Sequence, residues 1–266
     1  MNSLLRFQQP VFGPAYQALP DFLRAREYQD PMSNDVTAFQ VAFKTELTFP
    51  EFVKQHPEHL ENLHKSMQQS YGNQWTDEFP VESELGQWGQ TGNERPLLVD
   101  IGGGRGQQAS AFKKRFPGLP GRVIVQDRAE VIDGAAQIDG VEFMVHDFFV
   151  TQPILGAKFY YLRFVLHDWQ DDLCVQILRS IVPAMGPHSC IVLDEMIPPD
   201  IGMSFWAAFM DTAMLATCGG SERSAEDWVR LLDRAGLRML KLLEYDPQNL
   251  SVIMAVPKPE ENASCI

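Results

Sequence analysis

From Leu97 onward, short apolar runs alternate with longer amphipathic stretches, and the alternation predicts strands and helices in turn. Seven apolar runs read as strands, over residues 97–101, 122–126, 141–145, 159–163, 190–195, 239–245 and 250–256. Between them, apolar positions recur at helical spacing over 106–116, 129–137, 171–185, 206–218 and 225–235. Alternation of this kind builds a mostly parallel sheet covered on both faces. The last two strands are joined only by Asp246-Pro247-Gln248-Asn249, short enough for an antiparallel hairpin.

The first third carries helical periodicity instead. It falls over residues 11–26, 37–43 and 48–69, with Pro10, Pro20, Pro31 and Pro50 as punctuation. Residues 76–96 are polar and turn-rich and read as a connector. The expected organisation is a helical segment over 1–75, the connector over 76–96, an α/β domain over 97–257 and a frayed tail over 258–266.

At 266 residues the chain can bury a substantial core, and 45% hydrophobic with 21% charged residues is ordinary for a globular protein. A formal net charge of −13 opposes binding to nucleic acid or an anionic membrane, both of which need Lys/Arg surfaces. No run approaches the ~18 apolar residues of a membrane span, and the N-terminus makes a poor signal peptide. Cys174, Cys190, Cys218 and Cys265 lie far apart without a C-x-x-C pair, which suits reduced thiols rather than disulfides or zinc. No metal is expected, and the chain reads as cytoplasmic.

The chemistry gathers at the strand ends, where ligands of such sheets bind. The first strand runs into Asp100-Ile101-Gly102-Gly103-Gly104-Arg105-Gly106, a turn in which backbone approaches a ligand at a helix start. A dinucleotide fingerprint would need glycine or alanine at position 107, which is Gln107. Asp100 would repel a pyrophosphate but attract an ammonium, directly or through water. S-adenosylmethionine (SAM) carries an ammonium and a sulfonium and has no phosphate. Asp127 ends the second strand, 25 residues after Gly102, where an acid accepts both ribose hydroxyls or caps the following helix. Asp147 can accept from an adenine amino group and Phe148 can stack on the ring, unless they serve a turn and the core. Beyond the fourth strand stands His167, which takes a proton near neutral pH when it is not simply a packed histidine. Glu195 ends the fifth strand and Glu222 follows Gly219-Gly220-Ser221. Two carboxylates near an imidazole can orient it and stabilise its protonated form.

Together the glycine loop, Gln126-Asp127, His146-Asp147-Phe148, Leu166-His167-Asp168-Trp169, Asp194-Glu195-Met196 and Gly219-Gly220-Ser221-Glu222-Arg223-Ser224 carry a resemblance. The chain resembles the plant-type O-methyltransferase family of caffeate and flavonoid enzymes, in the version common in fungal secondary metabolism. The resemblance covers residues 97 to about 256, and the helices over 12–67 are similar to that family's substrate-covering segment. It implies a Rossmann-like class I methyltransferase fold (α/β), a seven-stranded mostly parallel sheet with an antiparallel closing hairpin, preceded by a small helical segment. It implies SAM as cofactor and S-adenosylhomocysteine as product. Gly102 and Gly104 then belong to the cofactor loop, Asp127 to the ribose, and Asp147 and Phe148 to the adenine. Arg163 falls where the family often uses a lysine whose backbone helps hold the cofactor. His167 resembles the general base, flanked by Glu195 and Glu222. Met210, Met214 and Trp169 resemble acceptor-pocket residues, the methionines one turn apart and equally suited to plain core. The acceptor implied is a hydroxyl, phenolic in type, on a small aromatic or polyketide-type secondary metabolite.

The family is homodimeric through an N-terminal winged-helix domain, and nothing of that kind precedes the helices at Phe12. Either the sequence is a piece of a longer protein or the protein is a short form, and the expectation is a monomer or a dimer of unusual interface with low or absent turnover in isolation. Two rival readings stay open, a SAM-binding pericyclase or dehydratase on the same fold and a non-catalytic subunit. Detection of a methylated product separates them from methyl transfer.

Overall fold

The computed structural model describes residues 6, 8–29, 31, 33–67, 74–86, 88, 92 and 94–259. Seven strands form one sheet: β1 Pro96–Ile101, β2 Arg122–Asp127, β3 Val141–Val145, β4 Phe159–Arg163, β5 Cys190–Met196, β6 Leu237–Asp246 and β7 Leu250–Pro257. Their order is β3-β2-β1-β4-β5-β7-β6. Strands β1 to β5 are parallel, and β7 runs antiparallel to both β5 and β6. Every predicted strand is present within two residues at each end.

Burial on both faces explains the continuous apolar runs. In β4, Phe159 and Tyr161 enter one core with Trp75, Phe112 and Val192, while Tyr160 and Leu162 enter the other with Val99, Leu178 and Leu193. Strand order reverses between β1 and β4, and ligands of open α/β sheets bind outside the carboxyl ends of the strands at such a switch. A third core joins the N-terminal helices to this domain. Phe12, Ala15 and Phe39 pack there with Ala213 and Met214 of the Phe205–Thr217 helix.

Several local expectations change. The helical pattern over 48–69 divides into Phe49–Gln55 and Pro57–Met67, because Pro57 has no N–H to continue the first helix and suits the start of a second. Pro20 punctuates nothing; it lies inside the Gly13–Ala25 helix at an exposed position. The helix expected over 129–137 ends at Ile132 and buries no residue, so it lacks the packing that sustains a short helix. The connector over 76–96 contains helical turns, Trp75–Glu78 and Val81–Leu85. Trp75, Phe79, Val81, Leu85 and Trp88 bury there against the sheet. Trp75 stacks on Tyr161 with ring centroids 4.6 Å apart, so a few aromatic anchors outweigh the polar count. Of the tail over 258–266, residues 260–266 lie outside the described residues.

Candidate active site

The glycine loop leaves β1 over a buried carboxylate. A Cβ on Gly103 would sit 2.5 Å from the Asp100 Cγ, so only glycine lets the backbone cross here. Asp100 is 1% exposed and lies beneath the loop rather than open to a ligand. Neither of its oxygens has a hydrogen-bond partner among the described residues. Burial, then the charge of Asp127, push its carboxyl up to about 7. At the end of β2, Asp127 Oδ2 accepts from the Gly104 N–H at 2.8 Å and Oδ1 from the Arg128 N–H at 2.7 Å. The next helix is capped by Arg128 without a side-chain bond, so Asp127 faces the loop instead. Burial raises its carboxyl above the ordinary value, opposed by those two backbone bonds.

Asp147 Oδ1 accepts from the Phe149 N–H at 2.9 Å, a turn interaction that leaves its other oxygen to a ligand or water. Phe148 and Val165 both abut the loop, since a Cβ on Gly102 would meet Phe148 Cε1 at 3.9 Å and Val165 Cγ2 at 2.8 Å. Trp169 stands edge-on to Phe148 and Phe149, with ring centroids 6.0 and 4.9 Å apart. Met214 is instead buried in the helical core, with Met210 packed against it. Trp169 therefore belongs with the loop-side aromatics and not with the methionines, because the 3-10 turn Leu166–Asp168 directs it toward Phe148. The donor set fits SAM. Two acids beside a glycine loop disfavour a pyrophosphate and suit a ligand carrying an ammonium.

His167 occupies that 3-10 turn, just beyond β4. Its Nδ1 is 2.8 Å from Glu222 Oε1, while Nε2 is 3.6 Å from Asp168 Oδ1, too long for a hydrogen bond. Glu195 Oε1 accepts from the N–H groups of Val165 at 3.3 Å and Leu166 at 3.1 Å, which holds the backbone that presents His167. His167, Glu195 and Glu222 are all buried, with one nitrogen or oxygen of each within 4.8 Å of the others. Burial opposes a charge on His167, but the charges of Glu222, Asp168 and Glu195 outweigh it and push the imidazole up to about 10. Burial likewise pushes Glu195 up to about 8, in spite of His167.

The surrounding loops are built for this cluster. A Cβ on Gly220 would lie 1.9 Å from the His167 carbonyl oxygen, so glycine is required where the two loops cross. Ser221 N–H donates to that same oxygen at 3.1 Å, and Glu222 N–H donates to Asp211 Oδ1 at 2.9 Å. Arg223, 4% exposed, donates to the carbonyls of Leu166 at 3.0 Å and Trp169 at 2.7 Å, and to Asp171 Oδ1 at 2.9 Å. It grips the His167 turn from both sides. Sequence reasoning gave Arg223 and Asp211 no role, since an arginine between an acid and a serine reads as surface until its burial is known. The Arg163 side chain pairs with Asp194 and donates to the Tyr245 hydroxyl at 2.9 Å. Asp194 also accepts from Tyr161 at 2.5 Å and Tyr245 at 2.7 Å. The guanidinium is thus tied through Nη1 to the Asp194–Tyr245 cluster beneath the end of β4.

Among the described residues no helix is long and apolar enough to cross a membrane. Residues 92–238, more than half the chain, match the O-methyltransferase domain family. Demethylsterigmatocystin 6-O-methyltransferase of Aspergillus parasiticus is 47% identical over 248 residues, which cover 93% of this chain and 64% of that protein. Two solved structures, LepI in complex with SAM and one described as a pericyclic reaction enzyme, are each 35% identical and cover 95% of this chain and 66% of theirs. Their TM-scores are 0.88 and 0.89. The chain thus spans less than two thirds of the length of these relatives. A glycine loop over a buried acid, a seven-stranded sheet closed by an antiparallel hairpin and the matched span agree: the chain belongs to the O-methyltransferase domain family.

Proposed function

We propose that this protein transfers the methyl group of SAM to a phenolic hydroxyl of a small aromatic, polyketide-type secondary metabolite, with His167 as general base. The observation that carries this reading is the buried His167–Glu222 pair, 2.8 Å apart, on a turn that packs against the glycine loop through Val165. SAM, when bound, supplies a methyl group already activated by its sulfonium. The chain has then to bind the two reactants, align them and remove a proton. Gly102 and Gly104 bring backbone close to the cofactor, Asp127 serves the ribose, and Asp147 and Phe148 serve the adenine beside Trp169. Asp100 sets a buried acid beneath the loop, acting on the ammonium through water. Arg163 contributes its backbone at the end of β4. Met210 and Met214 border the acceptor from the Phe205–Thr217 helix.

Proton transfer works here by matching. A phenol titrates near ~10, and His167 is pushed up to about 10, so the proton passes between groups of similar affinity. Glu222 occupies Nδ1, which leaves Nε2 to take the acceptor's proton. Glu222 then stabilises the imidazolium, while Glu195 holds the turn and adds charge as it ionises.

The likeness to a pericyclic reaction enzyme supports a second reading, a SAM-binding pericyclase. The buried base favours methyl transfer, because a pericyclic step needs no proton acceptor. The two part in one assay with SAM and demethylsterigmatocystin, the compound in the relative's name. A product heavier by one methylene, with an equal amount of S-adenosylhomocysteine, supports methyl transfer. SAM left intact while a panel of phenols goes unmethylated would sink it.

A further inference from the structure

Phe164 bridges β4 and the turn that carries His167, and its backbone is left-handed at φ +49°. That conformation is unfavourable for a bulky residue and persists only where the surroundings enforce it. Its ring is stacked on the His167 imidazole, with centroids 5.3 Å apart and planes 20° apart. The Arg163 guanidinium lies 4.7 Å from the centroid of the same ring. Arg163 is in turn tied to Asp194 and Tyr245, and Asp194 is wholly buried. The Phe164 N–H also donates to the Asp194 carbonyl at 3.2 Å.

We infer that Phe164 is a positioning residue for His167, its ring braced by Arg163 and the Asp194 network so that the imidazole plane stays fixed with Nδ1 on Glu222. The hydrogen bond to Glu222 fixes one atom of the imidazole but leaves the ring free to swing about it, and the second side-chain torsion of histidine is broad. A stacked face removes that freedom. The left-handed backbone is what turns residue 164 back over residue 167, so the strain and the stack have one cause. The significance of this device rests on reading His167 as the base, whereas the stack itself does not.

The test uses Phe164→Tyr, Phe164→Leu and Phe164→Gly in the full chain. Two readouts are taken: the His167 ring protons and Nδ1–H exchange by NMR, and kcat with KM for SAM on demethylsterigmatocystin. Phe164→Gly relieves the backbone strain while removing the ring, so a merely structural role predicts a stable, active protein. Phe164→Leu keeps apolar bulk and guards against a glycine variant that does not fold. The inference expects Phe164→Tyr to retain ring-current-shifted imidazole protons and kcat. It expects the Leu and Gly variants to lose the shift, to exchange Nδ1–H faster and to lose about 10- to 100-fold in kcat at nearly constant KM for SAM. Unchanged Nδ1–H exchange in the variants without the ring overturns the inference. So does faster exchange with undiminished kcat. If exchange speeds up but the wild-type chain leaves SAM intact across a panel of phenols, the positioning stands and the methyl-transfer reading fails.

Discussion

His167 Nδ1 and Glu222 Oε1 are 2.8 Å apart, both side chains buried, although 55 residues separate them in sequence. A neutral imidazole here would leave a buried carboxylate uncompensated, so the pair holds its proton tightly. The chemistry proposed for the site depends on when that proton leaves.

At neutral pH, His167 carries its proton, because Glu222, Asp168 and Glu195 together outweigh burial and push it up to about 10. Methyl transfer to a phenol should therefore rise as pH increases from about 7 to 10, as the base becomes free. Glu222→Gln removes the charge and should bring the rise to lower pH. A profile of kcat/KM against pH checks both; a flat wild-type profile over that range contradicts the assignment.

Stability should move the other way. A folded-state value raised on His167 gives stabilisation that is full below its unfolded value of ~6.5 and is lost as pH rises through about 10. Glu195, raised from 4.5 to about 8, also binds its proton more tightly when folded, so its contribution is lost between those values. The urea midpoint should fall as pH rises from about 5 to 10. Glu195→Gln keeps an oxygen for the Val165 and Leu166 N–H groups, and should flatten the part below pH 8. An unchanged slope in that variant would return Glu195 to an ordinary ionised acid.

Arg223→Ala removes three hydrogen bonds made by a buried guanidinium and takes the charged donor from the Leu166 and Trp169 carbonyls of the His167 turn. The expected loss is about 3 kcal/mol of unfolding free energy, with Arg223→Lys recovering only part because a point charge cannot serve three acceptors in a fork. Chemical denaturation gives the number. A loss under about 0.5 kcal/mol would place Arg223 among ordinary surface residues.

Asp127→Ala should weaken SAM binding by about 1–3 kcal/mol, the scale of lost charged hydrogen bonds. Its carboxylate also anchors the Gly104 N–H, so both the loop and the ribose lose a partner. Isothermal calorimetry on the folded variant decides this; unchanged affinity would confine Asp127 to the loop.

The strands were legible because burial on both faces writes continuous apolar runs into β1, β4 and β5. The glycine loop was legible for a steric reason, the Asp100 carboxylate beneath Gly103. His167 and Glu195 stood out as chemistry at strand ends and Glu222 after a glycine pair, and the fold brings the three together. What escaped the sequence depends on contacts distant in the chain. The aromatic anchors Trp75 and Trp88 sit in a polar stretch, and periodicity has no means of weighing one buried indole against several exposed polar residues. Arg223 and Asp211 act on backbone atoms of other segments, which no local pattern encodes. The left-handed Phe164 is unreadable for a further reason, since propensity argues against that conformation for an aromatic residue.

The decisive measurement is a pair of assays on wild type and His167→Gln: SAM affinity by calorimetry, and methyl transfer from SAM to an aromatic acceptor by mass spectrometry. With His167 as base, SAM affinity should be retained while transfer falls by at least ~100-fold, the range of acid–base catalysis. A His167→Gln protein that methylates the acceptor at the wild-type rate would contradict it.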